Sequence, residues 1–505
     1  MKINIKIIGV WLIIASGLWS CEEYLDKTPD AEISEIDVFG NYESFQGFAD
    51  AMYVSFVDPN NFALTTGSAN ADESIAVQAW ASARKYAEGN YWSIIFNNWQ
   101  SNCWNENEPS VYGPSGTPTG IWPDGWRGIR VANQCLEKID LLQGTEEQKN
   151  LLMGQAYFFR GFLHWEIAVR WGGIPYADKV YEADENLDHP RLTFQETVER
   201  IVEDLDKAAS LLPEDWDNTS VGKSQQSLNT GRATKGAALA YKARALLYAG
   251  SPLMVHDGGG AYVFDANYMQ RAAQAAWEVI ELASKGEYGL VPFDNYQELY
   301  ARMDGTTPWT TETIWARVPN RYFGYNRGIG FPYGAQMMNA RLGRLYTPAR
   351  FGGNDICETP VQNLVDRFEM ENGLPIDHPD SGYDPMDPWS NRDPRFRKFI
   401  YVDGDNAGVS EQTILKLYEG GADKSEPGVL TSYINHKYWP KGVNKIDQLW
   451  SQFTYATPLM RLADIYLIYA EAINEASGPS ATAEGASLTA IEAVNIIRAR
   501  SNMPP

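Results

Sequence analysis

Two capping boxes, Thr145-x-x-Gln148 and Thr193-x-x-Glu196, each open an apolar stripe at helical spacing, and together they constrain this chain more than any other feature. The first stripe runs Leu152, Ala156, Phe159, Leu163 and Ile167 and stops at Trp171-Gly172-Gly173-Ile174-Pro175, where glycine and then proline end it. The second runs Val198, Ile201, Leu205, Ala209 and Leu212 and stops at Pro213. Between Arg232 and Gly250, Ala237, Ala240, Ala243 and Leu247 alternate with Tyr241 and Tyr248, and small residues at that density let two helices approach closely. Tyr268 to Lys285 is a further amphipathic helix closed by Gly286. A stripe of Leu459, Ala463, Tyr466, Ala470 and Ile473 is answered by Leu488, Ile491, Val494 and Ile497. These are successive helical pairs of about the 34-residue tetratricopeptide length, without an exact repeat. The expected fold is mainly α.

Residues 304–456 read differently. They are rich in Gly, Pro, Asn and aromatics, with short candidate strands at Phe396 to Val402 and Thr413 to Tyr418. Two stretches, Trp80 to Trp126 and Trp309 to Tyr346, read as aromatic-rich loops, and long ordered loops in a compact protein usually carry function.

The N-terminus reads as a targeting segment. Lys2 and Lys6 precede an apolar run from Ile7 to Trp19, shorter than the ~20 residues of a bilayer span. Leu18-Trp19-Ser20-Cys21 has the form of a lipobox, so residues 1–20 are expected to be a signal peptide and Cys21 a lipidated first residue. Across all 505 residues, 42 Lys and Arg face 65 Asp and Glu, a net charge of −23. Without Lys2 and Lys6 it is −25, so the membrane would be held by acyl chains and not by charge. The same acidity excludes a nucleic-acid partner, which needs clustered cations.

Catalytic and metal signatures are missing from the sequence. There is no HExxH and no GxSxG, and Asp217 stands where a P-loop before Gly222-Lys223-Ser224 needs its first glycine. The five His are scattered, and Cys103, Cys135 and Cys357 have no ligand spacing, so buried free thiols are expected and neither a metal nor a cofactor. Asp403-Gly404-Asp405-Asn406 lacks the later Gly and Glu of an EF-hand and reads as a turn. A glycosidase carboxylate pair is a matter of three-dimensional spacing.

Several motifs, in order, resemble the SusD/RagB family of nutrient-binding outer-membrane lipoproteins. They are Phe159-Arg160 through Trp171-Gly172-Gly173, Leu364 to Gly373, Asn391-Arg392-Asp393-Pro394-Arg395-Phe396, Arg461 with Asp464, Tyr469 and Glu471, and Asn495 with Arg498 and Arg500. The resemblance implies four tetratricopeptide-like helical hairpins as a scaffold, about 21–303 and 457–505, within a single domain spanning 21–505. The loop-rich lobe would be about 304–456. It implies a non-catalytic protein at the cell surface that captures glycan and delivers it to a SusC-type TonB-dependent transporter. The family pattern continues past Arg500, so a closing C-terminal segment is expected beyond Pro505.

A sugar presents flat C–H faces and rings of hydroxyls, so its site wants aromatic platforms rimmed by hydrogen-bonding side chains. The loop stretches offer Asp72, Trp80, Trp104, Trp122, Trp309, Tyr322, Tyr325, Arg341 and Arg344. Trp389 is a looser candidate, whereas Trp165, Trp277, Trp315 and Tyr466 read as core. The competing readings are a surface glycoside hydrolase and a protein-interaction scaffold of tetratricopeptide type.

Overall fold

The computed structural model describes residues 34–56, 72–76, 89, 121–226, 228–255, 262–317, 347–352, 358–424, 429–449 and 453–505. Two short helices, α1 (Glu35–Phe39) and α2 (Tyr42–Ala49), lead into the scaffold. Its long helices are α3 (Ile121–Glu137), α4 (Glu146–Trp171), α5 (Phe194–Leu211), α6 (Lys235–Ala249) and α7 (Ala266–Ser284). After the lobe come α10 (Leu462–Ser477) and α11 (Ala490–Arg500). Each packs on the next in this order, so α7 rests on α10 although the whole lobe separates them in sequence. The mainly α scaffold with an irregular lobe is the architecture the sequence led us to expect.

The capping boxes act as anticipated. Gln148 N–H donates to Thr145 Oγ1 at 3.2 Å while Thr145 N–H donates to Gln148 Oε1 at 2.9 Å. Gly172, at φ +78°, then releases the chain from α4 in the left-handed region that favours glycine. A third capping box, Thr489 with Glu492, opens α11. At the centre of the scaffold Trp315 is buried against Phe158, with ring centroids 4.9 Å apart, and against Phe56, Phe159 and Phe162.

The lobe carries the short strands β1 (Ser74–Ala76), β2 (Ala301–Arg302), β4 (Glu358–Pro360), β5 (Ile400–Tyr401), β6 (Ile434–Asn435) and β7 (Thr454–Tyr455). Two more, β3 (Thr313–Arg317) and β8 (Thr457–Arg461), form an antiparallel pair that leads into α10. The other strands pair β1 with β4, β2 with β7 and β5 with β6. Short helices α8 (Gln362–Arg367) and α9 (Pro394–Phe399) complete it. The lobe has its own core, in which Tyr296, Tyr300, Phe351, Tyr401, Trp439 and Phe453 are buried together.

The structure corrects several expectations. Trp122 and Trp126 lie on helix α3 and not in a loop. Pro123 sits in the first turn, where its missing N–H costs nothing. Gly128 serves a close crossing, since a Cβ there would come within 2.4 Å of Leu163 Cδ1 and 2.6 Å of Ser55 Cβ. Phe396 to Val402 is mostly helix, because Asp393 caps Arg395 N–H and Pro394 takes the first helical position; only Ile400–Tyr401 is strand. Thr413 to Tyr418 contains no strand, only an isolated bridge from Ile414 to Asn406. Leu459 belongs to β8 and the helical stripe begins at Leu462. The lobe core already includes Val291, Tyr296 and Leu299, earlier than residue 304, whereas Ile314 and Trp315 join the scaffold core.

Candidate functional site

The lobe is fastened to the scaffold by a buried charge cluster. Glu312, fully buried, accepts from Arg461 Nη1 at 3.2 Å, from Arg500 Nη1 at 2.7 Å and from Val291 N–H at 2.9 Å. Arg461 begins α10, Arg500 ends α11, and Arg461 also donates to the Tyr296 hydroxyl at 3.1 Å in the lobe core. Nearby, Arg498 Nη2 donates to Glu369 at 2.8 Å. Within the lobe, Arg392 Nη2 donates to the carbonyls of Val365 at 2.7 Å and Phe368 at 2.6 Å, satisfying the C-terminal end of α8. The family-like motif residues are therefore the joints of the fold.

Of the candidate ligand residues, Cys21, Trp80, Trp104, Tyr322, Tyr325, Arg341 and Arg344 lie outside the described residues. Asp72 is exposed, in the turn that opens β1, and is carried on the lobe by the β1–β4 pairing. Trp309 is half-buried in the segment that runs from β2 to β3. Its backbone N–H donates to Thr307 O at 2.8 Å, and its indole Cζ3 lies 3.7 Å from where a Cβ on Gly231 would stand, just ahead of α6. Trp122 is half-buried in a ring cluster on the scaffold, edge-on to Trp126 at 5.5 Å and tilted against Trp171 at 5.1 Å. No hydrogen bond or ring contact joins Asp72, Trp122 and Trp309 to one another among the described residues. Trp389, the looser candidate, packs beside the small cluster of Val365, Phe396 and Tyr433. Trp165 is buried, and Trp277 and Tyr466 pack partly buried on the scaffold core.

His164, Asp405 and Cys135 occupy structural positions. His164 is fully buried, with Nδ1 2.8 Å from Arg160 O and Nε2 3.1 Å from Ala177 N. A carbonyl can only accept and an amide N–H only donate, so the ring is neutral with its proton on Nδ1. Burial lowers its pKa to about 4. Asp405, in the turn 403–406, has its pKa raised by burial and pairs with Arg397. Cys135 is a buried free thiol whose pKa is pushed up to about 12 by burial. Among the described residues no group of three or more His, Cys, Asp or Glu is arranged to hold a metal ion, and no helix is long and apolar enough to cross a membrane.

A family model described as starch-binding and associating with the outer membrane matches residues 23–247, and the SusD family model matches residues 311–505. The chain belongs to the SusD/RagB family. A curated relative, SusD-like protein P2 of Formosa agariphila, is 32% identical over 101 residues, which is 20% of each chain. Among solved structures, a SusD-like protein of Bacteroides fragilis superposes with a TM-score of 0.64 at 23% identity, covering 94% of this chain and 81% of that one. A SusD-like carbohydrate-binding protein of the same species gives 0.62 at 20% identity, covering 93% and 80%. A laminarin-binding SusD-like protein gives 0.57 at 19% identity, covering 92% and 85%. At these identities the structures share the fold.

Proposed function

We propose that this protein captures a glycan at the aromatic surface of its lobe and delivers it to a SusC-type TonB-dependent transporter, without cleaving it. The observation that carries this reading is the match of two SusD-family models along most of the chain, one of them described as starch-binding. Likeness in fold to a protein described as laminarin-binding supports the same class of ligand. Trp309, half-buried, supplies one platform, and Asp72 contributes a carboxylate on the lobe. The residues at Trp80, Trp104, Tyr322, Tyr325, Arg341 and Arg344 complete the proposed set, while Trp122 contributes from the scaffold side. Lipidation at Cys21 places the protein on the outer membrane at the cell surface.

Affinity electrophoresis through gels cast with soluble starch or with laminarin tests the proposal. Retarded migration in at least one gel, with no new reducing ends in solution after long incubation, is the expected result. Unretarded migration in both, and in a wider panel of neutral and acidic polysaccharides, overturns glycan capture; release of reducing ends overturns the non-catalytic part.

A further inference from the structure

A cavity of about 420 Å³ opens on the helical scaffold, and none of its lining residues belongs to the lobe. It is walled by α3, α4, α5 and the connector after α4, and its volume is that of a small-molecule site. Its floor is a buried, fully bonded set. Arg160 Nε and Nη2 grip Asp204 at 2.6 and 2.7 Å, and Arg160 Nη1 reaches Asn133 Oδ1 and Asp178 O, both at 2.9 Å. The Tyr176 hydroxyl donates to Asp204 at 2.6 Å, and Asn133 Nδ2 donates to the carbonyls of Ala177 and Lys179 at 3.0 and 2.8 Å. The floor cannot rearrange without breaking bonds, so the cavity is preorganised.

The mouth is chemically different. Tyr157 is half-buried, and Lys207, exposed, holds its ammonium 5.1 Å from that ring. Neither side chain makes an ion pair or a hydrogen bond among the described residues. Arg200 is already engaged, with Asp178 at 2.6 Å and Glu203 at 3.5 Å, and lies 5.5 Å from the Tyr176 ring. The lining holds Arg160, Lys179, Arg200 and Lys207 against Glu137, Asp178, Glu203 and Asp204, so its charges balance within a chain of net charge −23. A lone anion here would face carboxylates, and a lone cation would face guanidinium and ammonium groups. An uncharged molecule bearing many hydroxyls meets donors and acceptors together, with a tyrosine ring for its C–H face.

We propose that this cavity is a second binding site, separate from the lobe, for a neutral saccharide unit. Lys207 and the Tyr157 hydroxyl are its free hydrogen-bonding groups, and Glu203 is the nearby acceptor. The proposal goes beyond glycan capture at the lobe and does not need it.

Lysine acetylation of the whole chain, read by mass spectrometry, tests it with maltotriose, laminaritriose and sodium sulfate as probes. Labelling at an occupied site falls by 1 + [L]/Kd, so a sugar at about nine times its Kd should lower Lys207 acetylation about tenfold. Lys223, exposed in a short 3-10 helix outside the cavity, should label equally throughout. The same protection of Lys207 should persist in Trp309→Ala, which lies in the lobe. Unchanged Lys207 labelling with both sugars overturns the site. Protection by sulfate alone overturns the neutral class, and loss of protection in Trp309→Ala overturns a separate site. Polysaccharide retention without Lys207 protection would leave the lobe reading intact while removing this one.

Discussion

Arg500, in the last turn of α11, places Nη1 2.7 Å from Oε2 of Glu312, a carboxylate with no solvent exposure that begins the approach to β3. This contact ties the end of the scaffold to the entrance of the lobe, and Arg461 closes the same carboxylate from the other side. A buried ion cluster contributes little net stability compared with apolar packing, but removing one partner strands the rest. Glu312→Ala should therefore destabilise the protein by about 3–5 kcal/mol, since two guanidinium groups and the Val291 N–H lose their acceptor. Urea denaturation checks this; a loss below about 1 kcal/mol would mean that water replaces the carboxylate.

Gly128 marks the crossing of α3 with α4. Its missing Cβ leaves room for Leu163 and Ser55, and of these Leu163 Cδ1 can swing away whereas Ser55 Cβ cannot. Alanine in a helix interior would gain about 1 kcal/mol in propensity over glycine. Overpacking costs about 1–3 kcal/mol, so Gly128→Ala should come out destabilised. Thermal unfolding of the variant reads the sign directly, and a raised midpoint would show that α3 can slide on α4.

How much of this was legible beforehand depended on whether a signal was local. Thr145 and Thr193 announce their helices because a cap is completed within three residues, and Trp315 announces itself as core by its apolar neighbours. Trp122 did not, because glycines at 125 and 128 look like loop residues until the facing helix that needs them is seen. The strand assigned to Phe396 to Val402 failed because Asp393 and Pro394 start a helix more strongly than the alternation favours a strand. The partners of Glu312 are about 150 and 190 residues away, beyond any periodicity argument. The pairing of Arg160 with Asp204, which builds the scaffold cavity, is hidden for the same reason.

Acid should weaken the fold through His164. Its pKa is about 4 in the folded protein against an ordinary value of 6.5. Between those values the unfolded chain binds a proton that the folded one refuses, so stability is full above pH 6.5 and is lost as pH falls toward 4. Protonation would also set an N–H against the Ala177 N–H that Nε2 now accepts. The loss amounts to about 3 kcal/mol across that window. His436, held near 4 by burial and by the cations Lys441, Lys398 and Arg397, adds in the same direction. Denaturation midpoints at pH 7 and at pH 4.5 should differ, and His164→Gln should flatten the slope by up to about one proton. An unchanged slope in that variant would assign the acid sensitivity to other groups.

Cys135 should be silent toward thiol reagents in the native state. It is buried on α3, and its pKa near 12 leaves almost no thiolate at neutral pH. Peptide mapping after iodoacetamide treatment should find it unmodified in buffer and fully modified in denaturant. Native labelling at this position would indicate that α3 opens locally from α4.

Trp309 offers the sharpest separation of binding from folding. The ring is only half-buried and belongs to none of the lobe's or scaffold's apolar clusters, so its removal leaves no large cavity. Trp309→Ala should therefore unfold within about 1 kcal/mol of the parent chain. If it stacks on the ligand, an aromatic platform contributes about 0.5–1.5 kcal/mol, so retention on starch or laminarin should weaken roughly two- to tenfold. Trp309→Phe keeps a smaller platform and should recover part of the loss. Equal retention by all three proteins would take Trp309 out of the site and leave the other aromatic segments to carry the ligand.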